Sequence, residues 1–516
     1  MMTDVQEIPR PESAGKDRGL RDLFYYFPSK ALPALFGAVQ VLLLTRGLGP
    51  DGYGQAAIGI ALANVLVSLS SDWLRQSILR FFPMYQASER LAEFRQKTWT
   101  LLSFVLCFIL VIFFVLGSIV TGPISTTQEQ KILVIVLSTT MVLFHYHATL
   151  LQSARQSRQY AIATFVQSFT QLALIMIFVL AMHGGVRMAL LSIAGGYGAG
   201  LAFIMLTTAI SGRRNRYPGL YIDIAMAKQM ASYGLPMAIW FLSAQLIYLI
   251  PRYVIGSYWS FNEVGVFSSS YDLINGSMSL LMTPFLLASV PIIMNLWETG
   301  QRVGAIQDLV ASNIRYISLL FAPLIALSML SGQYAIGVFL GENFIVVPWF
   351  VPVLILSSFI SGLSMYAHKG LEVGKRTHIM LMVALASLAV NGIVNLILVP
   401  LIGYPAAAIS TVLSSSFYMV VTGWLGRKFL TLSIPWRSLS RIALACVSGA
   451  LMGYFSMRFF NTNSTQAMIV HISGGVVALL VYGTLLLVQR EIDEEIDLLR
   501  SAIQHFLAKA HQMRGL

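Results

Sequence analysis

Charge is what this chain has least of. Only 11% of its 516 residues are charged, just 22 of them are acidic, and 56% are hydrophobic. So few ionic groups cannot clothe that much apolar side chain in water, which excludes a soluble fold and makes lipid the solvent. Cysteine is almost missing too. Cys107 and Cys446 both fall in apolar stretches, so neither a disulfide scaffold nor a cysteine metal site is expected. No Asp-x-Asp pair of the kind used in sugar transfer occurs. The run Gly370-Leu371-Glu372-Val373-Gly374-Lys375-Arg376 is one residue too short for a phosphate-binding loop, and Lys375 is not followed by Ser or Thr. Neither an enzyme nor an ATP-driven pump is indicated, and no cofactor is implied. A cleavable leader is not expected either, because the first apolar stretch is too long for one.

What is present is a series of apolar runs. A spanning helix needs about 20 mostly apolar residues, and fourteen stretches qualify: 23–44, 54–74, 99–120, 132–151, 162–182, 188–210, 235–255, 264–296, 316–330, 345–365, 379–399, 406–424, 442–460 and 468–488. The expected fold is therefore an all-α polytopic membrane protein. Its expected parts are a cytoplasmic segment 1–22, two six-helix lobes at 23–212 and 235–426 joined by a linker at 213–234, two further spans within 427–489, and an amphipathic tail at 490–516.

The net charge of +12 has a topological explanation. All but six of the 34 lysines and arginines fall in alternate gaps between the apolar runs. That bias places both termini in the cytoplasm, and nucleic acid is not needed to account for it. The opposite gaps are short; the longest, 331–344, has no room for a catalytic domain. An internal repeat is also visible. Gly54 pairs with Gly265, and Gly185 pairs with Gly403, at two near-equal offsets, as in transporters built from repeated lobes.

Residues 44–54, read Leu44-Thr45-Arg46-Gly47-Leu48-Gly49-Pro50-Asp51-Gly52-Tyr53-Gly54, resemble the first-loop signature of bacterial polysaccharide transporters, the oligosaccharide flippases. Gly374-Lys375-Arg376-Thr377, the run from Asn391 to Ala408 and Gly341-Glu342-Asn343-Phe344 are similar to later segments of that family. The resemblance implies a fold like the multidrug and toxin extrusion proteins, in which two six-helix lobes alternate access to a cavity. It implies a cargo of undecaprenyl-diphosphate-linked oligosaccharide repeat units, moved across the bacterial inner membrane for surface or exopolysaccharide assembly. Implied partners are that lipid-linked substrate, membrane lipids, and a polysaccharide polymerase with its export machinery.

The six cations outside the topological pattern are Lys30, Arg46, Lys131, Arg187, Arg252 and Arg458. Arg46, Lys131, Arg187 and Arg458 lie near the outer ends of spans and can snorkel. Lys30 and Arg252 lie inside the first spans of the two repeats, Lys30 close to Pro28 and Pro33 and Arg252 directly after Pro251. An intramembrane charge faces a bundle interior or a wet cavity, and a diphosphate needs compensating cations there. Arg252 and Lys30 are thus expected substrate contacts, with Asp272 the partner of Arg252 when cargo is absent. Tyr26, Trp240 and Tyr248 are expected to stack on sugar. Asp272, Asp72 and His145 are the candidates for ion coupling. Asn391 and Asn395, one turn apart, either bridge helices or touch cargo. Metal ligation is not expected, since His145 and His147 point to different helix faces. Competing functions are a cation-coupled drug antiporter of the same fold and a flippase for the peptidoglycan precursor. The antiporter calls for buried acids, and Asp272 is the clear one here. A membrane polymerase or ligase is disfavoured by the short outer gaps.

Overall fold

A computed structural model describes residues 12–119, 128–210, 221, 223–299, 303–459 and 467–493. Among them there is no strand, as lipid dictates: away from water, a helix satisfies its own backbone N–H and C=O groups. The order is α1 (Glu12–Ala87), α2 (Leu91–Ile119), α3 (Gln128–Ser153), α4 (Ser157–Ile175), α5 (Gly185–Ile210), α6 (Ile224–Tyr258), α7 (Phe261–Glu298), α8 (Val303–Leu340), α9 (Phe350–Ala367), the short α10 (Lys369–Val373), α11 (Thr377–Ile402), α12 (Pro405–Gly426), α13 (Trp436–Phe459) and α14 (Ala467–Val488). Twelve helices among the described residues are long and apolar enough to cross a membrane. The first of these holds two predicted spans, and the third predicted span lies on α2, so helix carries most of each of the fourteen expected stretches.

Expected boundaries shift in places. α1 begins at Glu12, ahead of the expected start at residue 23, and Pro33 does not interrupt it. Pro236 and Pro251 likewise lie within α6 without ending it. The gap expected at 331–344 is mostly helix, because α8 continues to Leu340. Polar residues there read as loop but are packed: Ser331 Oγ lies 3.2 Å from His471 Nδ1, and the Tyr334 and His471 rings stack at 4.6 Å. The amphipathic tail falls, from residue 494 on, outside the described residues.

α1 is really two limbs. Gly49 takes φ 65° and ψ 179°, a conformation open to glycine alone, and Pro50 then starts the second limb where a missing N–H costs nothing. Elsewhere left-handed turns are filled by charged residues. Arg155 and Lys375 both have φ 54°. Arg155 N–H donates to Gln152 O and Gln156 N–H to Leu151 O; Lys375 N–H donates to Glu372 O and Arg376 N–H to Leu371 O. These are matching Schellman closures.

The chain divides into two compact units: Met1–Pro284 with Leu381–Ser410, and Phe285–Met380 with Thr411–Leu516. In the first, Phe144, Ala148, Leu151, Tyr160, Ala163 and Ile204 form a core. Within the same unit Asn391 and Asn395 are fully buried, and Asn395 Nδ2 donates to Ser410 Oγ at 2.7 Å. The asparagines therefore bridge α11 to α12. In the second unit, α13 and α14 approach through glycines. A Cβ on Gly449 would lie 2.6 Å from Ala478 O, and one on Gly453 would lie 2.6 Å from Gly474 O, the small-residue contact that draws helices together in lipid. Large apolar side chains such as Leu206, Leu401, Leu480 and Val488 point outward, as a lipid-facing surface requires.

Candidate functional site

A cavity of about 390 Å³ opens in the first unit between α1, α6 and α7. Its one cationic lining residue among those described is Arg252, which is only 6% exposed. Arg252 Nε donates to Ser268 Oγ at 3.0 Å, and Nη2 donates to Asp272 Oδ1. Ser268 and Asp272 are one turn apart on α7, so one face of that helix presents both acceptors. Tyr53, on the second limb of α1, donates its hydroxyl to the other carboxylate oxygen, Asp272 Oδ2, at 3.1 Å. A buried guanidinium is thus matched by a carboxylate and a hydroxyl, as burial of a charge demands. Asp272 keeps 32% of its side chain accessible, so the pair faces the cavity rather than sealing it.

Tyr248 lines the same cavity. Its hydroxyl accepts from Asn275 Nδ2 at 3.1 Å, and its ring meets Tyr271 edge-on at 5.5 Å. Three neutral amides complete the polar lining: Gln40 and Asn64 from α1 and Gln245 from α6.

Of the residues singled out from sequence, Arg252, Asp272 and Tyr248 come together. Trp240 is on α6 but outside the cavity lining, its ring against Phe241. Asp72 is elsewhere on α1, paired with Arg75 Nη1 and Ser68 Oγ, each at 2.7 Å. His145 is on α3, its ring edge-on to Tyr197 at 5.6 Å. Lys30 and Tyr26 are on α1, and their side chains lie outside the described residues. Of the cations near the ends of spans, Arg187 Nε lies 3.1 Å from Glu129 Oε1, and Arg458 Nη2 donates to Tyr454 Oη at 2.6 Å.

Tyr53 and Gln40 were not anticipated. Tyr53 had one available signal, its place in the Gly52-Tyr53-Gly54 motif. Away from the cavity, Lys97 of α2 is buried between Glu93 and Asp223, with Nζ at 2.5 and 2.6 Å from their oxygens. Asp223 also caps α6, accepting from Met226 N–H at 2.9 Å. Arg90 and Lys97 hold the Glu93 carboxyl down at about 2, and Lys97 lowers that of Asp223.

The fold has known counterparts. The structure titled Lipid II flippase MurJ, inward closed conformation, is similar with a TM-score of 0.66 over 90% of this chain and 99% of that one, at 12% identity. An inward-facing multidrug resistance MATE family transporter of the MOP superfamily gives 0.54 over 77% and 94%, at 16% identity. The eukaryotic MATE transporter AtDTX14 gives 0.52 over 82% and 99%, at 14% identity. No curated protein matches the chain significantly in sequence. Residues 20–297 match the family model described as Polysaccharide biosynthesis protein. That match spans more than half of the chain and includes the whole Tyr53–Arg252–Asp272 cluster: the chain belongs to the polysaccharide biosynthesis protein family.

Proposed function

We propose that this protein is a flippase that carries undecaprenyl-diphosphate-linked oligosaccharide repeat units across the bacterial inner membrane by alternating access, supplying surface or exopolysaccharide synthesis. The observation that carries the proposal is Arg252, a buried guanidinium on a cavity wall in a chain otherwise built to exclude charge. A guanidinium meets diphosphate oxygens bidentately, and Asp272 holds it in place until a stronger anion arrives. Lys30 is proposed as a second cation for the same cargo, and Tyr248 as a stacking surface for sugar. In this proposal both termini face the cytoplasm, and the chain acts by binding and releasing cargo, with no bond chemistry of its own. A polysaccharide polymerase and export machinery would take the flipped product.

The likeness to a structure titled as a lipid II flippase favours a lipid-linked cargo in general, so the peptidoglycan precursor is the second reading. An antiporter for cationic drugs is less well served by a cavity whose one described carboxylate, Asp272, is already paired with an arginine. Deletion of the gene tests these readings together. The proposal expects lipid-linked repeat units to accumulate on the cytoplasmic side while surface polysaccharide disappears. Unchanged surface glycan with raised sensitivity to cationic drugs would reject it.

A further inference from the structure

Behind the cavity wall runs a chain of buried amides that anion binding does not use. Ser168 Oγ donates to Gln167 Oε1 at 3.0 Å; Gln167 Nε2 donates to Gln171 Oε1 at 2.7 Å; Gln171 Nε2 donates to Gln40 Oε1. Ser168, Gln167 and Gln171 sit on α4, each at least nine-tenths buried, whereas Gln40 is half-buried and lines the cavity. Every bond in the relay points the same way, so its members polarise one another. Its end state is a fixed one: the Gln40 oxygen is turned to α4, and both Gln40 N–H bonds are left for the cavity. α5 holds the relay in register. A Cβ on Gly196 would lie 2.6 Å from Gln171 Cβ, and one on Gly200 would lie 2.8 Å from Gln167 Cβ. Neither glutamine stem has room to swing that way.

The chemistry of this face differs from that of Arg252. An amide is neutral and can donate to hydroxyl or carbonyl oxygens, and Asn64 and Gln245 on the same cavity form no hydrogen bond among the described residues. A site built to hydrogen-bond a ligand's polar groups discriminates strongly against a ligand that lacks them. From this geometry we infer that Gln40 is the sugar-reading donor of the cavity and determines specificity for the sugar attached directly to the diphosphate. Gln171 and Gln167 are positioning residues that aim it. The inference rests on the reading of the cargo as a diphosphate-linked sugar.

The test uses the full chain, purified in lipid nanodiscs, and titrates three probes: farnesyl diphosphate, and the same molecule carrying one glucose or one N-acetylglucosamine on its terminal phosphate. Wild-type protein is expected to bind at least one glycosylated probe about tenfold more tightly than farnesyl diphosphate, the scale of one well-made hydrogen bond. Gln40→Leu should erase that preference. Gln171→Glu is the sharper variant. Its carboxylate accepts only, so it draws the Gln40 N–H bonds away from the cavity, and it should erase the preference as Gln40→Leu does. Gln40→Ala, a change at a half-buried position, provides a variant whose folding is least at risk, and size-exclusion profiles accompany each measurement. No preference in the wild type, or a preference that survives Gln40→Leu, Gln40→Ala or Gln171→Glu, overturns the inference. Failure of all three probes to bind wild-type protein would instead sink the diphosphate cargo itself.

Discussion

Gly54 and Gly265, paired by the internal repeat, are also partners in space. A Cβ on Gly54 would lie 2.0 Å from the carbonyl oxygen of Phe261, and one on Gly265 would lie 1.8 Å from that of Pro50. Each glycine thus rests against the carbonyl one turn before its partner. The second limb of α1 and the start of α7 cross there in a reciprocal contact, close to the point where Tyr53 reaches Asp272. Backbone sits on both sides of that crossing, so no side chain can move aside to make room.

Gly265→Ala or Gly54→Ala should therefore force the two helices apart and cost about 1–3 kcal/mol or more of stability. A thermal melt in detergent, followed by size-exclusion chromatography, measures it. Unchanged midpoints in both variants would mean that the helices do not touch at these glycines.

The Arg252–Asp272 pair makes a second prediction. Asp272→Ala strands a buried guanidinium, a change of about 3–5 kcal/mol, whereas replacing both partners by apolar residues (Arg252→Met with Asp272→Leu) should recover most of that stability without recovering transport. Melting midpoints for the single and double variants, set beside complementation of a deletion strain, separate the two effects. A double variant as unstable as Asp272→Ala would show that the ion pair is not what the aspartate supports.

Acid should loosen the tie between α2 and α6. Glu93 and Asp223 have carboxyl values held below normal by Lys97 and, for Glu93, first by Arg90. The Glu93 contribution to stability is complete above its ordinary value of about 4.5 and falls away as pH drops towards 2. The contribution of Asp223, also lowered, is likewise lost in acid. Lys97→Met should lower stability at neutral pH and flatten its decline between those values. A decline of the same steepness in the variant would place the acid sensitivity elsewhere.

These residues differ in how far the sequence exposed them. Arg252 and Asp272 stood out because an unbalanced charge inside an apolar run is costly and needs a reason, and their pairing followed from adjacency of consecutive spans. Gly54 and Gly185 were visible as repeated loop glycines; Gly185 and its repeat partner Gly403 both prove left-handed, with φ 62° and 72°. Tyr53 and Gln40 escaped notice because a neutral polar side chain within a span looks the same whether it bridges helices or lines a cavity. Only the fold brings Gln171 to Gln40, which lie 131 residues apart. The continuation of α8 to Leu340 was hidden for a similar reason, since Ser331 and Tyr334 are satisfied by His471 on a distant helix.

The transport account stands most directly on Arg252. In a strain lacking the chromosomal gene, plasmid-borne Arg252→Ala should reach the membrane at wild-type level yet restore less than about a tenth of surface polysaccharide, while lipid-linked repeat units remain on the cytoplasmic face. Arg252→Lys, which keeps the charge but loses the bidentate fork, should restore part of it. Full surface polysaccharide from the alanine variant would contradict the account.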